Sequence, residues 1–594
     1  MMSIGRRKSM KKSVICYMLL LITLFFVSCN SDDNNVTTDT TFVDTESFGT
    51  ERTTYMDTET TSITESAETS ATTEEASTAV EPSSTAETVT ESETTTDEIT
   101  TEEELPTEKV SSLQIIPQPK SVIRGKRYAR VPAFVGNGDF DNAVNTFVYF
   151  VKYTHGITSE IVYDGEADIR FVKIEGLAEE EYRITVSKNA ILVEASDEYG
   201  AQNAVSTLVQ AMTAENGLIK IPECVIEDKP DRNFRSIMFD LARSWHEPSY
   251  IYDYIDMCRF YKVRYLHLHF TDAQLYTLPS EAYPELSTTG YSYSADDIKE
   301  IVAYAKLRGV NIIPEIDVPG HSTNFHRAYP EVFGNHNIIC MSETSLTAME
   351  TLFTELCELF EDSDYIHIGG DEASTSNWTT CPDCLQSFRD KGFDVDKMSS
   401  DELVTVMYAE FINRMAKVVQ DHGKTPIVWE GFPASANDLI TRDIVVYGWE
   451  NYYQTTDSLL AAGFNVVNAA WKPMYIVAPK PISSVDEVIN WNIFKWGAVH
   501  PNSPYLNTPL IIEPTDQVIG AQMLCWGDFI TTQYTSVNEG LEHELTIVFD
   551  KLPPMIEHVW NVDKRLDADR FYRKADAVDA LLQQFFTNIK SSRA

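Results

Sequence analysis

Basic residues are scarce in this chain: 47 Lys and Arg stand against 90 Asp and Glu in 594 residues, a formal net charge of −43. That imbalance argues against nucleic acid or any other polyanion as a partner. Cysteine is sparse too, nine in all, with Cys16 and Cys29 near the start and seven scattered later. An odd, thin set of this kind is no disulfide scaffold. The only metal-like spacing is Cys381-Pro382-Asp383-Cys384. A structural zinc takes four ligands, and no second CxxC or HxxxH accompanies it, so a local loop feature such as a disulfide is expected and no metal. The chain also lacks a Gly-rich phosphate loop and an HExxH helix. After the apolar run Val14–Val27 nothing later in the chain offers a membrane-spanning segment.

That one run follows a basic start (Arg6, Arg7, Lys8, Lys11, Lys12) and ends in Phe26-Val27-Ser28-Cys29. It reads as a secretory signal over 1–29, too short for a permanent membrane helix. Its end resembles a bacterial lipobox, although Phe26 departs from the usual Leu. The expectation is an exported protein on the cell surface or the outer face of a bacterial membrane, lipid-anchored through Cys29. Residues 30–109 are almost entirely Thr, Ser, Glu, Asp and Ala and carry about 20 of the net negative charges. Such a segment cannot bury a core, and like charges extend it, so it is expected to be a disordered stalk.

From Leu113 the texture turns globular. Residues 110–228 alternate short β-rich runs with an apparent helix at Tyr199–Met212 and contain no chemistry-bearing cluster, so they read as a small α/β supporting domain. Over 229–594 a unit repeats: an apolar β-rich run, a polar or aromatic end, then a helical stretch. The runs are RSIMFDLAR (235–243), RYLHLHFTD (264–272), VNIIPEID (310–317), YIHIGGDE (365–372), TPIVWEGF (425–432), IVVYGWEN (444–451), FNVVNAAW (464–471) and VIGAQMLCWGD (518–528). Eight such strands alternating with helices are what a (β/α)8 TIM barrel requires. In that fold the active site forms at the C-terminal strand ends, where these runs carry Asp, Glu, Arg and Trp.

In YIHIGGDEAS two carboxylates sit side by side. If strand alternation carries through, Asp371 shares a face with His367, and Glu372 with Ile366 and Ile368, so the two aim differently and cannot face each other across one bond. A usual retaining glycosidase has an opposed carboxylate pair roughly 5 Å apart. A neighbouring pair suits another division: one residue protonates a leaving group and the other holds a group of the substrate. His267, His269 and Asp272 on the second strand, and Glu315, Asp317 and His321 after the third, add carboxylates and imidazoles without metal spacing, which favours proton handling. Trp429, Trp449 and Trp526 lie at the ends of strands five, six and eight, as an aromatic wall for a sugar or an acetamide methyl requires.

Taken together, HIGGDE, NIIPEIDVPGH, LHLHFTDAQ and FRSIMFDLAR resemble the catalytic barrel of family 20 glycoside hydrolases, the β-N-acetylhexosaminidases. IIPQPKSV (115–122) and the stretch 182–212 resemble the small domain before that barrel. The resemblance implies substrate-assisted retaining catalysis on a terminal, non-reducing N-acetylhexosamine of a glycan, with no metal or organic cofactor. Glu372 matches the general acid/base, expected with a raised pKa, and Asp371 the residue that holds the acetamido N–H. Tyr475 matches the donor to the acetamido oxygen, and Trp429, Trp449 and Trp526 the walls around it. Asp272 and His321 match the pair that supports Glu372. Arg235 matches the arginine that grips the terminal sugar's hydroxyls. Three positions depart from the family pattern: Val477 replaces a carboxylate, Asp528 replaces a glutamate, and Ala273 replaces an acid after Asp272. Release of a disaccharide such as lacto-N-biose, or glycan binding without catalysis by a surface lipoprotein, are the alternatives.

Overall fold

A computed structural model describes residues 113–586 except 164–165, 336 and 480–481. The leader, Cys29 and the acidic segment 30–109 lie outside the described residues. No helix among the described residues is long and apolar enough to cross a membrane.

The N-terminal part is a mixed sheet of eight strands. Its long members, β1 (Ser121–Val131) and β8 (Leu218–Asp228), pair antiparallel. Between them in sequence come β2 (Phe134–Gly136), β3 (Glu160–Val162), β4 (Ile169–Lys173), β5 (Tyr182–Ser187), β6 (Ala190–Ala195) and β7 (Thr213–Glu215). The helix Glu198–Ala211, capped by Asp197 accepting the Gly200 N–H, is buried from Gly200 to Ala211 because sheet and barrel cover opposite sides of it. Its polar residues are therefore paired. Ser206 donates to the Arg259 carbonyl, Asn203 accepts from the Arg259 guanidinium, and Gln210 donates to the carbonyls of Ile116 and Phe260.

Eight parallel strands then close a barrel: β9 (Phe234–Asp240), β10 (Tyr265–His269), β11 (Asn311–Glu315), β12 (Tyr365–His367), β13 (Thr425–Trp429), β14 (Val445–Gly448), β15 (Asn465–Asn468) and the long β19 (Val518–Trp526), which returns to β9. Strands β9 and β10 are buried at every position, since helices cover the outside and side chains fill the inside. Only the lower half of β19 pairs with β15. Its upper half, Leu524–Trp526, pairs with the short β16 (Tyr475–Val477), which extends the wall where β15 stops. A small antiparallel pair, β17 (Lys495–Trp496) and β18 (Leu510–Ile511), lies between β16 and β19 in sequence.

Candidate active site

The strand carrying the two adjacent carboxylates is short. β12 ends at His367, and Gly369, Gly370 and Glu372 all take left-handed backbone, with φ of 83°, 107° and 45°. A pleat therefore does not set the directions of Asp371 and Glu372, contrary to the alternation expected from sequence; this turn does. A Cβ on Gly369 would stand 2.6 Å from the Val318 nitrogen and press into Asp317, so only glycine lets this exit lie against the loop after β11. Tyr408, from the helix Ser400–Asp421, donates its hydroxyl to the Gly370 carbonyl and holds the turn from behind. As a result the Asp371 side chain points inward, 10% exposed, while that of Glu372 is 45% exposed toward the open rim.

His321, also left-handed at φ 46°, bridges the two loops. Its Nε2 is 3.4 Å from Glu372 Oε2 and 4.0 Å from Asp371 Oδ1, and its Nδ1 is 3.3 Å from Asp272 Oδ2. Asp272 in turn lies 3.3 Å from His269 Nε2, and His269 Nδ1 hydrogen-bonds Glu315. Glu315 also accepts from Trp429 Nε1 at 2.6 Å and lies 2.8 Å from His367 Nδ1. A continuous relay of acids and imidazoles thus runs from the barrel interior to Glu372.

Its charges follow from its geometry. Burial opposes a charge on His321, but Asp272 and Asp317, with hydrogen bonds to Asp272 and Glu372, outweigh it and hold the imidazole well above its usual pKa. Burial likewise opposes ionisation of Asp272, yet Arg243 and His321 keep its carboxyl well below the usual range. For Glu372 burial pushes upward, but the His321 hydrogen bond and charge, with Arg243, leave it below its ordinary value. The raised pKa expected for Glu372 is therefore not a property of the open site: the proton sits on His321. Asp371 differs. Burial and the charges of Glu372 and Glu315 raise it to about 6 against the pull of His321. Asp317 is likewise held well above its ordinary value, by burial and then by the charge of Asp371, against the pull of His321.

Across from the carboxylates stands an aromatic wall. Trp449 stacks on Tyr475 with centroids 6.2 Å apart and planes 6° from parallel, and Tyr475 lies 5.9 Å from Trp526, which is 6.1 Å from Trp429. Trp429 is 1% exposed with its N–H committed to Glu315, so it forms the floor of this wall. Trp471, at the end of the run after β15, fills the gap between Trp449 and Tyr475, 5.6 Å and 5.3 Å away.

Arg235 is not in this site. It is the second residue of β9, at the end of the strand opposite Asp240, and five residues of strand span about 16 Å. Its guanidinium pairs with Glu180 of the small domain at 2.5 Å, and its Nε donates to the Lys262 carbonyl. That makes it a buried anchor between the domains. Arg243, the other arginine of the same run, is at the rim. It contacts Asp240 at 3.0 Å, Asp272 at 2.7 Å and Asp528 at 3.5 Å, and lies over the Trp526 ring at 4.8 Å. Asp240 also accepts the N–H groups of Ala242, Arg243 and Gly527, tying together the loops after β9 and β19. Sequence reasoning missed Arg243, Asp240 and Trp471. The strand-end rule would have found the first two, since Asp240 closes the strand and Arg243 follows it, whereas Arg235 opens it. Val477, buried on β16, offers the site no carboxylate. The remaining expected residues, Asp272, His321, Asp371, Glu372, Trp429, Trp449, Tyr475, Trp526 and Asp528, form one contact-linked set.

Residues 233–561 match the model of the glycosyl hydrolase family 20 catalytic domain, and residues 112–229 match domain 2 of that family. The chain belongs to glycosyl hydrolase family 20. Similar proteins include a beta-hexosaminidase of Vibrio furnissii, 26% identical over 410 residues covering 62% of this chain and 64% of that one. Another, from Akkermansia muciniphila, is 29% identical over 340 residues covering 52% and 66%. The matches thus span about two thirds of these relatives' length. Among family 20 structures, the exo beta-N-acetylglucosaminidase of Vibrio harveyi in complex with N-acetylglucosamine superposes with a TM-score of 0.67 at 20% identity, over 82% of this chain and 80% of that one. The beta-N-acetylhexosaminidase of Bacteroides fragilis gives 0.64 at 23% identity, over 80% and 95%. At such identities these likenesses speak to the fold.

Proposed function

We propose that the protein hydrolyses terminal β-linked N-acetylhexosamine from the non-reducing ends of glycans, with the substrate's own acetamido oxygen as nucleophile. The observation that carries this reading is the placement of the carboxylates: Asp371 inward, where its charge acts on Tyr475 of the aromatic wall, Glu372 outward, and His321 within reach of both. Asp371, ionised, accepts the acetamido N–H and balances the positive charge that develops there. Tyr475 donates to the acetamido oxygen, and Trp449, Trp471 and Trp526 enclose the methyl group and sugar face. In the first step the carbonyl oxygen attacks the anomeric carbon while the glycosidic oxygen takes a proton from Glu372, giving an oxazolinium ion. In the second, Glu372 removes a proton from water, which opens the ring from the vacated face with net retention.

The proton must be on Glu372 when the bond breaks. In the open site it rests on His321. A bound sugar covers the exposed side of Glu372, removes water from the carboxylate and raises its pKa, so the pair's shared proton shifts toward the leaving oxygen. Arg243, preset by Asp240, Asp272 and Asp528, takes the role sequence had assigned to Arg235. Its fork binds vicinal hydroxyls of a terminal sugar. A further sugar on those hydroxyls would collide with this fork, which its three carboxylates hold in place, and that favours release of single residues.

The test is hydrolysis of aryl β-glycosides of GlcNAc, GalNAc, glucose and lacto-N-biose, with products followed from chitobiose and lacto-N-tetraose. Cleavage of acetamido sugars alone, with free GlcNAc from chitobiose, is expected. Comparable β-glucoside hydrolysis would overturn the nucleophile assignment, and lacto-N-biose as main product would overturn exo release of single sugars. The leader and Cys29 support export and a lipid anchor. Radiolabelled palmitate incorporated into the wild type and lost in Cys29→Ser is the expected outcome, and no incorporation would exclude the anchor.

A further inference from the structure

The Cys381-Cys384 spacing, read from sequence as a loop feature, gains a third partner in the fold. Cys340, more than forty residues upstream, brings its Sγ 3.5 Å from that of Cys384, and the three sulfurs of Cys340, Cys381 and Cys384 lie within 4.8 Å of one another. All three are buried. We propose that they form a metal site for a thiophilic divalent cation, zinc foremost, bound as three thiolates with a water as fourth ligand.

Three observations carry this. The sulfur spacings suit a common ion: thiolates about 2.3 Å from zinc stand about 3.8 Å apart at the edges of a tetrahedron. A disulfide needs sulfurs about 2.05 Å apart, uses two of the three, and leaves a buried thiol beside the bond where exchange is easy. Secondly, the Met341 N–H points at Cys384 Sγ at 3.2 Å, as a donor does toward an electron-rich sulfur. Thirdly, the cysteines come from two separate loops. Cys340 ends the loop after β11, and Cys381 caps the helix Pro382–Asp390 in the loop after β12.

Those loops carry the relay. Ile339, next to Cys340, donates to the Pro319 carbonyl two residues before His321, and accepts from the Trp378 Nε1 at 2.8 Å. Trp378 lies between Glu372 and Cys381 in sequence and packs on Tyr408, which holds the Gly370 carbonyl. An ion here would therefore clamp the His321 loop to the Asp371-Glu372 loop. Binding forms three Zn–S bonds, and the S–H protons leave to solvent, with no oxidant required.

The experiment is elemental analysis of the purified protein after zinc loading and desalting, beside Cys340→Ser, Cys384→Ser and a Cys224→Ser control in the small domain. About one zinc per chain in the wild type and control, and less than about a tenth in the two site variants, is expected. Should those variants fail to fold, the wild type alone decides. A strong chelator should lower Tm and zinc restore it, and cobalt loading should give intense thiolate-to-metal absorption. No retained zinc, zinc unchanged in both variants, or an intact mass two hydrogens light that maps to a Cys340 disulfide would each overturn the site. None of these readouts depends on glycosidase activity.

Discussion

His321 Nε2 lies 3.4 Å from Glu372 Oε2, and both residues hold left-handed backbone, at φ 46° and 45°. Neither is glycine, so each conformation costs about 1 kcal/mol or more, and they meet at the outward Glu372 carboxylate. Local strain is spent on aligning a proton donor with its acceptor.

Replacing Glu372 with Gln should separate substrates by leaving group. For aryl glycosides of poor leaving groups kcat/KM should fall about 10²- to 10⁴-fold, and for dinitrophenyl glycosides far less, because only the former need a proton. Equal losses across the series would remove Glu372 from the acid role.

The two arginines of one sequence run should differ in their effect on the rate. Arg243→Ala should lower kcat/KM of the folded fraction about 100-fold or more, since a charged hydrogen-bond partner of the sugar is lost, and it should also cost stability, because buried Asp240 and Asp272 lose their cation. Arg235→Ala should destabilise by about 3 kcal/mol, because buried Glu180 loses one of its two cations, while kcat/KM of the folded fraction stays within about threefold. Denaturant titration beside kinetics distinguishes them. A kinetic defect in Arg235→Ala without a stability defect would contradict the assignment.

Asp371 links activity and stability to pH. With its pKa raised to about 6, kcat/KM should decline as pH falls through 6, since the neutral acid no longer holds the acetamido N–H or balances charge. For stability the sign is the reverse. A carboxyl raised from 3.8 to about 6 is most comfortable protonated, so the fold loses up to about 3 kcal/mol as pH rises between those values. Asp371→Asn should therefore raise Tm at pH 7, leave it nearly unchanged at pH 4, and abolish the acid limb of the rate profile. A lower Tm at pH 7 would show that Asp371 is not held under strain.

Gly369→Ala should inactivate the enzyme through geometry alone. The added methyl meets Val318 and Asp317 at a φ of 83°, so both the turn and the neighbouring loop must shift. A loss of stability of about 2 kcal/mol and of at least 100-fold in kcat/KM is expected, because a 1 Å displacement of aligned groups is enough for the latter.

The barrel was legible because each strand is an apolar run with a polar or aromatic end, and β-sheet pairing follows that local pattern. The site was legible where function sits on the strand or just past it, as with Asp272, His321 and the Asp371-Glu372 pair. Two features were not. Arg235 and Arg243 carry the same chemistry at opposite ends of one strand, so only strand polarity separates them. The direction of Asp371 and Glu372 depends on positive φ at Gly369, Gly370 and Glu372, which ends the pleat early. Likewise Cys340 joins Cys381 and Cys384 only through the packing of two loops, and no spacing rule spans that distance. The depressed pKa of Glu372 is a further case, since it arises from His321 brought in from the loop after β11.

The most direct measurement of the central proposal, that the substrate's acetamido oxygen is the nucleophile, is kcat/KM for aryl N-acetylglucosaminides whose acetyl methyl carries zero, one, two or three fluorines. Each fluorine withdraws electron density from the carbonyl oxygen while changing its size little. A steep, monotonic fall across the series, of several orders of magnitude in all, is the expected result for attack by that oxygen on the anomeric carbon. A flat series would contradict it and return the nucleophile to a carboxylate of the protein.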